Sequence, residues 1–140
     1  MKIVSLGLIL TAMFLIVGCS DDDESSNPTG PYRYTAFLNN VPVVEGTIQI
    51  DSLNTQNVSG HWDFHAVGEE RNDVGPQIGS GNFTGSFDGA AVSINLNPEM
   101  ADNNVILNGT FTGNTIRGEW SFSGFAGVIN HGPFMAQREK

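Results

Sequence analysis

Residues 105–122 read VILNGTFTGNTIRGEWSF, and this stretch decides the fold. A two-residue Gly113-Asn114 loop between alternating flanks is a hairpin signal, and its length sets the pairing. Thr112 then faces Thr115, Phe111 faces Ile116, Gly109 faces Gly118 and Leu107 faces Trp120. Side chains alternate faces along a strand. Val105, Leu107, Phe111, Ile116, Trp120 and Phe122 therefore share an apolar face. Asn108, Thr110, Thr112, Thr115, Arg117, Glu119 and Ser121 share a polar one.

Outward from this hairpin the same pattern recurs. Tyr32–Leu38 is a first strand ended by Asn39-Asn40, and Val41–Asp51 a second, with Pro42 predicting a bulge or an edge. Val58–Val67 is a third strand, and the polar loop GEERNDVGP follows at 68–76. Gln77–Phe87 and Ala90–Asn97 form a hairpin around Asp88-Gly89, which sets Phe83 against Ile94 and Gly85 against Val92. A last strand is expected over Gly132–Arg138, with SGFAG as the link before it. No stretch carries a sustained helical period. The prediction is an all-β domain over 32–140, a single antiparallel up-and-down barrel or curled sandwich of about eight strands.

Two further features point to closure. VSGHWDF at 58–64 repeats as IRGEWSF at 116–122, aligning Gly60 with Gly118, Trp62 with Trp120 and Phe64 with Phe122. Gly60, Gly81, Gly85, Gly109 and Gly118 fall on the apolar face beside bulky residues. Small beside large is how a narrow barrel bends its strands and fills its interior.

The first 31 residues have a different character. Lys2 followed by the apolar run Ile3–Val17 reads as a secretory signal over residues 1–18. Leu15-Ile16-Val17-Gly18-Cys19 resembles the lipobox of bacterial lipoproteins. That resemblance implies cleavage before Cys19, a diacylglyceryl thioether on its sulfur, and acylation (palmitate, for example) of the new amino end. Cys19 is the chain's single cysteine, so no intramolecular disulfide braces the fold. Residues 19–31 then form an acidic tether: Ser20–Pro31 reads SDDDESSNPTGP, with no large apolar side chain. Twelve such residues span roughly 40 Å when extended. The serine after the cysteine resembles lipoproteins sent to the outer membrane, and Asp21–Glu24 resembles the export signal of surface-exposed ones.

The G-x-W-x-F strands, the G-x-F-x-G hairpins and the final G-x-F-x-A-x-R resemble small lipocalin-like or avidin-like barrels of the calycin type. The resemblance implies the architecture and transfers no binding residue.

Three sets of residues are candidates for a site. Trp62, Trp120, Phe64, Phe83, Phe87, Phe111 and Phe122 point inward, to fill a core or to line a cavity for a small apolar ligand. His61, Asp63 and His65 share the outward face of one strand, with Glu69, Glu70 or His131 able to complete a zinc or copper set. The second copy of the repeat carries Glu119, Ser121 and Ser123 there, so solvated polar residues are the preferred reading and no metal or other cofactor is expected. The third candidate is the 68–76 loop, since rigid scaffolds carry recognition on loops.

No G-x-S-x-G elbow and no phosphate-binding loop is present, so a non-enzyme is expected. Only Arg33, Arg71 and Arg117 lie between Tyr32 and Arg138, and the chain's net charge is −9, which excludes nucleic acid as a partner. The expected protein is a lipoprotein anchored to a bacterial outer membrane, periplasmic or surface-exposed. Its barrel is expected to bind a small apolar ligand or a protein. The alternatives are a hydrolase inhibitor, against lysozyme or protease, acting through its loops, and a structural envelope component.

Overall fold

The computed structural model describes residues 27–140, so the signal segment, Cys19 and the tether up to residue 26 lie outside the described residues. Eight strands follow in order: β1 Gly30–Leu38, β2 Val41–Asn54, β3 Asn57–Ala66, β4 Gly79–Phe87, β5 Ala91–Asn95, β6 Asn104–Thr112, β7 Thr115–Gly124 and β8 Gly127–Arg138. Each pairs antiparallel with the next, and β8 pairs with β1 to close an up-and-down barrel. Closure leaves no sheet edge to protect.

The turns explain the registers. Asn39 and Asn40 sit at φ 51° and 64°. Two left-handed residues in a two-residue loop make the tight turn whose twist suits a hairpin, and asparagine tolerates that conformation. In the β6–β7 hairpin, Thr112 pairs with Thr115, Phe111 with Ile116, Gly109 with Gly118 and Leu107 with Trp120, as the sequence predicts.

The β4–β5 hairpin differs. Gly85 pairs with Ile94 and Phe87 with Val92, two residues away from the expected register. The Asp88 carboxylate accepts from the backbone N–H groups of Ala90 and Ala91, at 3.3 and 2.8 Å, and the Asp88 N–H donates to the Ala91 carbonyl. The two-residue loop is therefore Gly89-Ala90, with Gly89 at φ 100° in the leading position that demands glycine. Moving the turn by one residue changes the register by two, so every side chain keeps its face.

Three bulges interrupt the sheet, and in the β2–β3 pair Asp51 is the extra residue between Ile50, opposite Gly60, and Ser52, opposite Ser59. Phe37 pairs with Pro42 while Ala36 pairs with Val44, which leaves Val43 as the extra residue and lets both Val43 and Val44 bury. Ile129 is extra between Asn130 and Val128, opposite Phe122 and Ser123. β8 starts at Gly127 instead of the expected Gly132, and the bulge hides that start from the sequence by interrupting the alternation. At its far end, Arg138 ties down residues 27–29, donating to the Asn27 and Thr29 carbonyls at 2.7 and 2.6 Å. Its guanidinium lies over the rings of Tyr32 and Phe111. The last residues of the expected tether are thus held against the barrel from Asn27 on.

The interior holds the predicted apolar set. Trp62, Trp120, Phe64, Phe83, Phe87, Phe111 and Phe122 are all buried, with Tyr32, Tyr34 and Phe134 beside them. The inward glycines are places of close approach. A Cβ on Gly118 would run into the Asn108 carbonyl and the Gly109 backbone. We expect Gly118→Ala to cost about 1–3 kcal/mol, the usual overpacking range. Urea unfolding should show a lower midpoint at unchanged slope.

Candidate functional site

The two tryptophans are built alike. Trp62 on β3 pairs with Gly81 on β4, and its indole N–H donates to the Leu96 carbonyl just past β5 at 2.9 Å. Trp120 on β7 pairs with Gly132 on β8, and its N–H donates to the Phe37 carbonyl on β1 at 3.1 Å. Each indole crosses a glycine on the neighbouring strand to reach a carbonyl one strand further. A Cβ on Gly81 or Gly132 would sit 3.2 or 3.1 Å from the indole nitrogen. Gly60 likewise pairs with Phe83, and Gly118 with Phe134. The seven-residue repeat in sequence is thus a repeated device in space, with β3, β4 and β5 matching β7, β8 and β1.

Aromatic rings also pack against one another in the interior. Tyr34 stacks on Phe64 with centroids 4.2 Å apart and planes 8° from parallel, and Trp62 tilts against Phe64 at 5.1 Å. Phe87 meets Phe111 edge to face at 5.8 Å. Burial pushes the Tyr34 phenol far above its ordinary range. Burial also raises the Tyr32 phenol, with the nearby Arg138 partly offsetting the effect.

The loop between β3 and β4 folds back over one mouth of the barrel. Val74 and Gln77 are fully buried there. The Gln77 amide donates to the Val74 carbonyl at 2.7 Å and accepts from the Tyr34 hydroxyl at 3.2 Å. Gly75, at φ 70°, lies over the Phe122 ring, where a Cβ would approach to 2.6 Å. Asn97 donates to the Pro76 carbonyl and Asn130 to the Asp73 carbonyl, each at 3.0 Å, which fastens the loop on both flanks. Arg71 grips Asp73 through two hydrogen bonds of 2.8 and 2.6 Å, and this holds the Asp73 carboxyl below its usual range. Both side chains are well exposed, so the pair shapes the loop more than it stabilises the fold.

Two grooves flank this plug. One, of about 410 Å³, runs between the loop and the β5–β6 link and is lined by Arg71, Gly75, Ile78, Met100, Asn103 and Phe122. The other, of about 680 Å³, lies on the β1–β2 and β8 side, with Leu38, Asn40, Asp73, Glu119 and His131 among its walls.

The His61, Asp63 and His65 set does share the outward face of β3, each residue exposed. His61 reaches Asp51 at 3.0 Å, and His131 reaches Glu119 at 3.4 Å. Among the described residues no three metal-ligating side chains converge.

The sequence reading overlooked one group at the loop end. Phe125 is fully exposed at the tip of the β7–β8 hairpin, with exposed Val128 and Ile129 beside it and Met100 on the adjacent link. Its only signal in the sequence is a lone phenylalanine between Gly124 and Ala126, in a segment that reads as a link. No protein family, curated protein or solved structure matches this chain.

Replacing either indole by phenylalanine removes a carbonyl's hydrogen-bond donor and leaves a void. We expect Trp62→Phe and Trp120→Phe each to cost about 2–4 kcal/mol, with similar values for the two, measured by chemical denaturation. The tyrosines give a second expectation. Their folded-state pKa lies above the unfolded value of about 10, so the associated stability is intact below that pH and is lost as pH rises beyond it. Tyr32 and Tyr34 are the only tyrosines in the chain. Absorbance at the phenolate band should therefore rise only in step with alkaline unfolding, followed by circular dichroism.

Proposed function

We propose that this protein is a bacterial outer-membrane lipoprotein, anchored through acylated Cys19, whose barrel is a protein-interaction module working through its loop end. The observation that carries the reading is the separation of the two ends. β1 begins at Gly30 beside the 55–56, 89–90 and 113–114 turns. The 67–78 loop, the 96–103 link and the 125–126 turn gather at the opposite mouth. A chain tethered ahead of β1 holds one end toward the bilayer and offers the other outward.

The mutual packing of the inward aromatic rings favours a surface site over an enclosed one. A small apolar ligand would have to displace rings that stack on one another and indoles already bonded to carbonyls. The plugged mouth instead presents a shaped surface, with its loop braced by Gln77, Asn97 and Asn130. Rigid loops on a closed barrel lose little freedom on binding.

Two measurements test the reading. Cys19→Ser should abolish acyl labelling and release the protein from membranes; a variant still fractionating with membranes overturns the anchor. In the acylated protein on vesicles, a dye at Ala126→Cys should lie farther from acceptor lipids than one at Ala90→Cys. Equal or reversed transfer efficiencies would overturn the orientation.

A further inference from the structure

Large apolar side chains left in water are distributed very unevenly over this barrel. Among the described residues they are Val41, Met100, Phe125, Val128 and Ile129, and every one lies at the loop end. Phe125 is 100% exposed on a hairpin tip, and Ile129 folds back beside Gly124 and Asn103, toward the groove that Met100 and Phe122 line. Phe125, Val128 and Ile129 adjoin on one hairpin, and exposed apolar side chains gathered in this way mark a place where a partner sits.

Charge says what kind of partner. Glu69, Glu70, Glu99 and Asp102 stand exposed around the patch. The one arginine or lysine there, Arg71, is paired with Asp73. The other basic residues of the described chain, Arg33, Arg117, Arg138 and Lys140, lie at the far end, where the N- and C-terminal segments meet. Anionic lipid is a poor match for an acidic rim, and both tryptophans, the usual interfacial anchors, are buried inside. A second copy fits no better. Loop end on loop end opposes like charges, and the basic end of a neighbour offers no exposed large apolar side chain among the described residues.

Building on the interaction reading above, we propose that the loop end docks a protein bearing an apolar slot rimmed by lysine and arginine, with Phe125 as the anchor inserted into that slot. A projecting aromatic that fills a pocket while charged residues ring it is the usual anatomy of a binding hot spot. The acidic rim sets orientation and speeds encounter with a basic surface, and both effects weaken with salt.

The test places a photo-crosslinking phenylalanine at position 125, and as a control at position 90, in the full-length chain within cells that naturally make it. The expected result is a protein adduct from position 125 alone, with the crosslink mapped to an apolar slot flanked by lysine or arginine. The purified adduct partner should then bind Phe125→Ser at least about 30-fold more weakly than the parent chain. Reversing Glu69, Glu70, Glu99 and Asp102 to lysine should likewise weaken it, and the parent affinity should fall as salt rises. Because Phe125 touches solvent alone, its serine variant should keep the parent's unfolding midpoint. Adducts only to lipid, adducts to a second copy, or no adduct at position 125 each overturn the proposal. So does Phe125-dependent sedimentation with vesicles of phosphatidylethanolamine and phosphatidylglycerol. The dye distances report the orientation separately, so a correctly oriented barrel without a position-125 adduct fails this inference alone.

Discussion

The structure depends on one cross-strand arrangement, a tryptophan lying over a glycine. A large inward side chain on a tightly curved sheet needs a neighbour without a Cβ, and an indole in a dry interior needs an acceptor for its N–H. Both needs are met twice, by Trp62 over Gly81 to Leu96 and by Trp120 over Gly132 to Phe37. Each unit spans three strands, so the two together bind β3–β5 and β7–β1 across the sheet as well as along it. The barrel thereby obtains side-chain cross-ties that would otherwise fall to disulfides, which a chain with one cysteine cannot form internally. Duplication of a half-barrel gives a simple account of why the device occurs twice.

How far this was legible in the sequence follows from the same periodicities. The β6–β7 register could be read because Gly113-Asn114 admits one loop length, and the apolar alternation beside it is unbroken. The inward set could be read because a period of two survives even a two-residue slip, as the β4–β5 hairpin illustrates. What could not be read was the slip itself, because the Asp88 carboxylate decides between Asp88-Gly89 and Gly89-Ala90 through hydrogen bonds to the backbone. The start of β8 was hidden for a related reason. The bulge at Ile129 breaks the alternation, and the tip bearing Phe125 then reads as a link.

The candidate site was harder still. The 68–76 loop was recognisable as an insertion, but not as a plug. The observed loop runs on to residue 78 and buries Val74 and Gln77; Gly75-Pro76 separates the two, and the sequence assigns Gln77 to the start of a strand that begins at Gly79 instead. Gln77 is a polar side chain whose burial makes sense only once the Tyr34 hydroxyl and the Val74 carbonyl are seen around it. The apolar crown is invisible in one dimension for another reason. Val41 at the start of β2, Met100 in the 96–103 link and Phe125 at the β7–β8 tip are far apart in the chain and share one end only because the barrel closes.

Closure therefore does more than stabilise. In an up-and-down barrel alternate connections return to the same mouth, so residues far apart in the chain are gathered at one end without any dedicated loop architecture. An eight-stranded barrel has room for its own side chains or for one small ligand. Here the aromatic side chains are committed to stacking and to bonding carbonyls, so variation inside is expensive, whereas variation at the mouths is nearly free. The terminal end is constrained by Arg138, which must hold residues 27–29, Tyr32 and Phe111 together. The loop end is constrained chiefly by Gln77 and its neighbours and leaves Phe125 uncommitted. A free-standing phenylalanine contributes nothing to the monomer's packing, and that is the observation on which the proposed docking at the loop end rests.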